Sequence, residues 1–120
     1  MEKANITWRV FSIYLLVITL MLFGGMAFGQ IEVKQFNAGW NKANDIPWVM
    51  DLEDCETFAY YDIGKDKEMQ KEHKIAVIPT IIIFKDDVEV ARFQADLSFK
   101  MVATRKEVQE EIDNILMSDF

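Results

Sequence analysis

The sequence predicts an α/β domain in which helices cover both faces of a mixed β-sheet. Strand-like and helix-like segments alternate along the chain. Residues 79–84 form a continuous, mostly β-branched run that is too short to be a helix. A capping box at Thr104 and Glu107 opens an amphipathic helix near the end. A chain of 120 residues has room for one such domain.

The first part of this domain predicts a strand–helix–strand unit. Residues 31–37 alternate in polarity, and residues 57–63 are rich in aromatic and β-branched side chains, so both segments indicate strands. Between them, residues 41–53 place apolar side chains at helical spacing, and Asp45 before Pro47 suits the start or restart of a helix. Because such crossovers are right-handed, the two strands are predicted to be parallel neighbours.

The second part predicts a helix, a hairpin and a final helix. Asp66 can cap a short helix, and a tight turn at Asp86 and Asp87 joins the third strand to a fourth over residues 88–93. The capping box at Thr104 then opens the last helix. The complete prediction is βαβαββα, with a four-stranded mixed sheet in the order 2-1-3-4.

An uncharged segment precedes the domain. No charged residue occurs between Arg9 and Glu32, basic residues stand ahead of the run, and several glycines close it. This pattern is typical of an export signal, with cleavage before Gln30. The run is also long enough for a retained membrane anchor, and a core helix is a third interpretation. We therefore predict a hydrophobic helix serving as signal peptide or anchor over residues 1–30, followed by the domain over 31–120.

The charge pattern predicts a compartment and limits the partners. Because positive charges precede the apolar run, the domain is expected on the outer side of the membrane. We expect a periplasmic or secreted protein, free or anchored to the inner membrane. The formal net charge of −7 argues against nucleic acid as a partner. Membrane contact is expected only through residues 10–29, if they are retained.

Two motifs resemble those of the thioredoxin family. The segment from Phe36 to Trp40 reads Phe-Asn-Ala-Gly-Trp, and Ile78-Pro79-Thr80 opens the third strand. In that family an aromatic residue and Ala-x-Trp precede a Cys-Gly-Pro-Cys motif, and an Ile-Pro-Thr strand carries a cis-proline. The resemblance covers roughly residues 31–117. It implies a thioredoxin-like fold, a cis bond between Ile78 and Pro79, and a groove beside them.

The resemblance also indicates that the redox residues are replaced. The family's two cysteines fall at Asn41 and Asn44, with Lys42-Ala43 between them, its buried acid falls at Gln35, and a nearby lysine falls near Tyr60. An amide can act neither as a thiolate nucleophile nor as a resolving thiol. The resemblance therefore implies a redox-inactive member without catalytic residues. Both asparagines are expected to cap the helix that the cysteines would have started.

Cys55 is the single cysteine of the chain. It lies between the first predicted helix and the second strand, which places it at the opposite end of the sheet from Trp40. An inert side chain in a loop is the simpler interpretation, and a reactive or intermolecular thiol is the alternative. For Trp40, Trp48 and Phe36 we predict core packing rather than a ligand-facing patch. His73 is expected to be solvated or to pack.

These observations favour a binding module over an enzyme. The hypothesis is an exported or tethered domain that holds a protein or an extended peptide beside Trp40 and Pro79, where strand backbone groups can pair with an incoming chain. One alternative is a redox protein acting through Cys55. Another is an accessory subunit of a membrane complex, held by residues 10–29. The sequence contains no motif for a metal, a nucleotide or another cofactor.

Overall fold

The strand order β2-β1-β3-β4 defines the sheet of the computed structural model, which describes residues 30–118. β1 pairs with β2 in parallel and with β3 antiparallel, and β3 pairs with β4 antiparallel. This arrangement confirms the predicted sheet, including its order and directions. The strands are β1 (Ile31–Asn37), β2 (Thr57–Asp62), β3 (Thr80–Lys85) and β4 (Val88–Gln94).

The connection between β1 and β2 differs from the single helix predicted over residues 41–53. It consists of two short 3₁₀ helices, Gly39–Asn44 and Pro47–Asp51. The break has a local cause, since proline lacks an amide proton and disfavours helical backbone in the preceding residue. Ile46 accordingly has extended angles, φ −95° and ψ 101°. The sequence predicted the restart at Pro47, but the prediction of one helix over residues 41–53 was wrong.

Two α-helices begin at the caps that the sequence predicts. They are α1 (Lys67–Glu72) and α2 (Arg105–Met117). The Asp66 carboxylate accepts a hydrogen bond from the Met69 amide at 3.2 Å, and the Thr104 hydroxyl accepts one from the Glu107 amide at 3.2 Å. Each side chain satisfies an amide that has no partner within its own helix. These two helix starts were therefore correct.

The sheet carries one hydrophobic core on each face. Successive side chains of a strand point to opposite faces, so the continuous apolar run of β3 supplies both cores. The first core lies between the sheet, the second 3₁₀ helix and α2, and the second core lies on the side of α1. Central members are Ile31, Val33, Ile81, Ile83, Val108 and Ile112 in the first core, and Phe36, Ile75, Ile78, Ile82 and Phe84 in the second.

His73 packs beside the second core, in agreement with one of the two expected roles. Its ring lies 5.2 Å from that of Phe36 and 5.4 Å from that of Phe84, measured between centroids. The Arg92 guanidinium of β4 donates to the carbonyls of His73 and Lys74 at 2.6 and 3.0 Å. These bonds tie the end of α1 to the far strand of the sheet.

The predicted signal or anchor over residues 1–30, with its hydrophobic helix, lies outside the described residues except for Gln30. Within residues 30–118, no helix combines the length and the apolar character needed to cross a membrane. The bond between Ile78 and Pro79 is cis, as predicted. It lies immediately before β3, close to the loop that follows β1.

Candidate functional site

An open groove lies beyond the C-terminal end of β1. Its volume is about 330 Å³, and most of its lining is apolar. Four segments meet there, namely the start of the first 3₁₀ helix, the region around α1, the segment before β3 and the loop after β4. The side chains that dominate the walls are Trp40, Ile63, Ile75, Val77, Ile78 and Phe99.

Trp40 is a surface residue, and the expectation that it packs in the core is wrong. Its side chain is 69% exposed, whereas Phe36 is fully buried and Trp48 packs partly buried against the first core. Trp40 follows the end of β1 and lies in the first 3₁₀ helix, outside the strands. It contacts Phe99 edge-to-face, with ring centroids 5.0 Å apart and an interplanar angle of 87°. The pair forms one wall of the groove.

Phe99 is a site residue that the sequence analysis missed. Its backbone lies in the left-handed region at φ 61°, which is unusual for a bulky residue. The loop is held by Asp96, whose carbonyl accepts from the Phe99 amide at 3.1 Å. The hydroxyl and amide of Ser98 donate to the Asp96 carboxylate and lower its pKa. Asp96 and Ser98 could have predicted this Asx turn, but not its contact with Trp40.

Ile78 lines the groove, while Pro79 lies beneath it, fully buried. The Pro79 carbonyl accepts from the Ala95 amide at 3.0 Å, and the Thr80 hydroxyl donates to the Val77 carbonyl at 2.7 Å. Within the described part of the chain, the amides of Val77 and Ile78 donate to no backbone carbonyl. Val77 is partly exposed and Ile78 is 4% exposed, so the Val77 amide is the more accessible of these two unpaired donors beside the groove.

Asn41 does not cap a helix, contrary to the expectation. The N-cap position of the first 3₁₀ helix is Ala38, which has no polar side chain, and Asn41 lies inside that helix and is buried. Its side-chain amide donates to Asn37 Oδ1 at 3.0 Å and to the Phe99 carbonyl at 3.2 Å. Asn44 likewise donates to Asn41 Oδ1 at 2.7 Å rather than to a helix start. The two asparagines thus link the end of β1 to the loop after β4.

Asp45 and Tyr60 extend this network toward solvent. One Asp45 carboxylate oxygen accepts from the Asn37 amide and from the Tyr60 hydroxyl, the latter at 2.8 Å. Partial burial, together with the hydrogen bond to Asp45 and the charges of Asp45 and Asp62, raises the pKa of Tyr60 to about 12. The hydroxyl is therefore neutral at physiological pH and acts as a hydrogen-bond donor.

Gln35 is buried, and its side chain binds the backbone at the break between the two 3₁₀ helices. Its Oε1 accepts from the Ile46 amide at 2.9 Å, and its Nε2 donates to the Ile46 carbonyl at 3.5 Å. Both polar groups of the amide are therefore engaged by one residue. A side-chain amide does not ionise near neutral pH. This position consequently supports the backbone rather than supplying an acid or a base.

Cys55 lies at the opposite end of the sheet from the groove. The neighbouring Glu56 amide donates to the Ile31 carbonyl at 2.8 Å, at the start of β1, whereas Trp40 follows the end of that strand. Burial raises the pKa of the Cys55 thiol to about 11, with smaller contributions from the charges of Glu56, Asp54 and Asp113. The nucleophilic thiolate is therefore scarce at neutral pH. Among residues 30–118, no cluster of His, Cys, Asp and Glu could hold a metal ion.

Solved thioredoxins share this fold. A mutant thioredoxin from Halobacterium salinarum matches with a TM-score of 0.58 and 14% identity, over 71% of this chain and 74% of that one. Thioredoxin from Fasciola hepatica matches with a TM-score of 0.54 and 22% identity, over 82% of this chain and 92% of that one. A poplar thioredoxin h gives 0.54 and 20%, over 73% and 78% of the two chains.

Sequence comparison adds no closer relative. A scan against protein-family models finds no match. A search of curated proteins finds no match either. The structural likeness therefore establishes the fold, and the domain has the thioredoxin-like fold that its two motifs implied. Its function must be argued from the groove and from the residues around it.

Proposed function

We propose that this chain is a thioredoxin-like domain without dithiol redox activity, which binds an extended peptide segment of another protein. The binding site is the groove beside Trp40 and Ile78. The observation that carries the proposal is the exposed pair of Trp40 and Phe99 next to unpaired backbone amides. Buried aromatic side chains and main-chain hydrogen bonds are two features with which proteins hold extended peptides.

The aromatic pair supports binding because both side chains leave much of their apolar surface in contact with water. Trp40 is 69% exposed and Phe99 is 40% exposed. Large aromatic side chains dominate interface energetics when a partner buries them. Here they already contact each other, so little side-chain entropy is lost when a ligand covers them. A peptide side chain placed against this wall would be removed from water on several sides.

The backbone beside β3 supports an extended ligand rather than a helical one. The amides of Val77 and Ile78 are free of backbone partners within the described residues. An extended chain can pair with such donors by strand addition, which supplies main-chain hydrogen bonds independent of sequence. The adjacent apolar pocket would then select the side chain that enters it. Binding is thus divided between the backbone and one anchoring residue.

The proposed absence of dithiol chemistry rests on residue chemistry. The chain has one cysteine. Cys55 lies at the opposite end of the sheet from the groove, and the pKa of its thiol is raised. The inward-facing amides of Asn41 and Asn44 engage each other, and neither can form a mixed disulfide. A redox protein acting through Cys55 is therefore the weaker hypothesis. The export or tethering of the domain, to the periplasm or outside the cell, rests on residues 10–29.

Two assays test the proposal. Insulin reduction by the wild-type protein should not exceed the background rate, and Cys55→Ser should leave it unchanged. For binding, extended peptides selected on the wild-type protein from a random nine-residue library should lose roughly tenfold or more in affinity for Trp40→Ala. Met50→Ala is the matched control, because Met50 is equally exposed at 69% but does not line the groove. Disulfide reduction by the wild type, or equal binding by Trp40→Ala, would overturn the proposal.

A further inference from the structure

We propose that the groove selects peptides in which a large apolar side chain stands next to a carboxylate. The apolar side chain would contact Trp40 and Phe99, and the carboxylate would pair with Lys67. This inference rests on the proposed function and adds the chemical class of the ligand. It follows from the charge of the groove, the shape of its apolar part and the acidity of the rest of the chain.

Lys67 is the source of the charge preference. Among the described residues that line the groove, it alone carries a charge. It forms no ion pair within residues 30–118. Among the neighbouring carboxylates, Asp62 accepts from the Gly64 amide at 2.9 Å and Asp66 from the Met69 amide at 3.2 Å, and neither these nor the adjacent Glu68 pairs with Lys67. The ammonium group is therefore available to a ligand.

The acidity of the chain makes the position of the ligand's carboxylate decisive. The formal net charge of −7 disfavours acidic peptides in general. At physiological salt, however, charges further apart than ~8 Å are largely screened. One carboxylate close to Lys67 is then favoured, while additional acidic residues elsewhere in the peptide gain nothing. The expected ligand is a peptide with one well-placed acid rather than a polyacidic chain.

The size of the groove indicates a single apolar anchor. Its volume of about 330 Å³ lies near the lower end of the range of ~300–1,000 Å³ for small-molecule sites. Its lining includes the Trp40–Phe99 pair and the segment from Ile75 to Ile78. One aromatic or large aliphatic side chain is of the size that this lining can enclose. A second large side chain would have to lie outside, on the exposed rim.

Three blocked nine-residue peptides of glycine and serine provide the probes. The first carries phenylalanine followed by aspartate, the second phenylalanine followed by lysine, and the third alanine followed by aspartate. The first should bind the full-length wild-type protein most tightly. Loss of one exposed charge pair and gain of a repulsion should weaken the second roughly threefold to tenfold. The third should bind at least tenfold more weakly, because it lacks the anchor.

Charge reversal at the proposed partner gives the sharpest test. Lys67→Glu should invert the order of the first two peptides, and 0.5 M salt should reduce the difference in both proteins. Lys106→Glu is the matched control, because Lys106 lies on α2 outside the groove and should preserve the wild-type order. Circular dichroism of each variant confirms that it is folded.

The outcomes separate this inference from the proposed function. If the aspartate and lysine peptides bind equally well and Lys67→Glu changes neither, while Trp40→Ala weakens both, the acid preference is wrong and the groove remains the binding site. If all three peptides bind Trp40→Ala as they bind the wild type, or if no peptide with phenylalanine binds, the groove is not the site. The proposed function then fails together with the inference.

Discussion

Asn41 Nδ2 donates a hydrogen bond to the backbone carbonyl of Phe99 across 3.2 Å, although the two residues are 58 positions apart. This bond joins the loop after β1 to the loop after β4. It places Phe99 against Trp40, and the pair forms a wall of the groove. The residue at the position expected for the first thiol of a thioredoxin is therefore engaged in building the site.

Removing the Asn41 side chain should destabilise the fold and disturb the groove. Asn41→Ala deletes the bonds to Asn37 and Phe99 and leaves Asn44 without its acceptor. Buried polar groups that lose their partners cost about 1–3 kcal/mol, so we expect urea unfolding to show a loss of that size. Asn114→Ala, on the exposed surface of α2, is the control. Equal stability of both variants would mean that the network contributes nothing.

A disulfide should form between cysteines placed at 41 and 44. In the double variant Asn41→Cys, Asn44→Cys, the side chains replace two amides that already contact each other at 2.7 Å. We expect a reversible disulfide and weak insulin reduction, well below that of a thioredoxin, because Gln35 cannot relay a proton. Thiol titration before and after mild oxidation measures the pairing. Two thiols that stay free in the folded protein would show that these positions do not correspond to a dithiol site.

The Cys55 thiol should react slowly at neutral pH. Its pKa of about 11 lies well above the ordinary value of ~8.5, so the thiolate fraction at pH 8 is lower by roughly two orders of magnitude. Labelling by an aromatic disulfide reagent should accelerate as the pH rises toward 11. Asp113→Asn removes one charge that raises the pKa and should shift this rise to lower pH. Fast labelling of the native protein at pH 7 would support the redox alternative instead.

Alkaline stability should depend on Tyr60. Its pKa is raised to about 12 in the folded protein, above the ordinary value of ~10, so deprotonation favours the unfolded chain. This contribution to stability is fully present below pH ~10 and is lost as the pH rises toward 12. Tyr60→Phe should therefore flatten the decline of unfolding free energy in this window. Tyr61→Phe, the next residue of β2, is the control and should retain the wild-type decline.

Local signals in the sequence determined most of the fold. Asp66 and Thr104 begin α1 and α2 as predicted, because capping depends on amides only a few residues away. The apolar run of β3 indicated a strand buried on both faces. The position of Asp86 and Asp87 indicated the hairpin turn, where both have positive φ. Pro47 indicated a restart of the helix, but not that the residues before it would form a separate 3₁₀ helix.

The site depended on contacts that no local pattern encodes. Sequence patterns indicate which side chains are hydrophobic enough to face a core, and Trp40 is one of them. Its position beyond β1 nevertheless leaves it exposed. Phe99 carries no motif, and its role arises because the loop after β4 is folded against the first 3₁₀ helix. Asn41 is a capping residue by type, and the carbonyl it binds belongs to a loop 58 residues away. Sequence alone determined the strands and the two capped helices, since their signals lie in neighbouring residues, whereas only the tertiary structure brought distant loops together to form the groove.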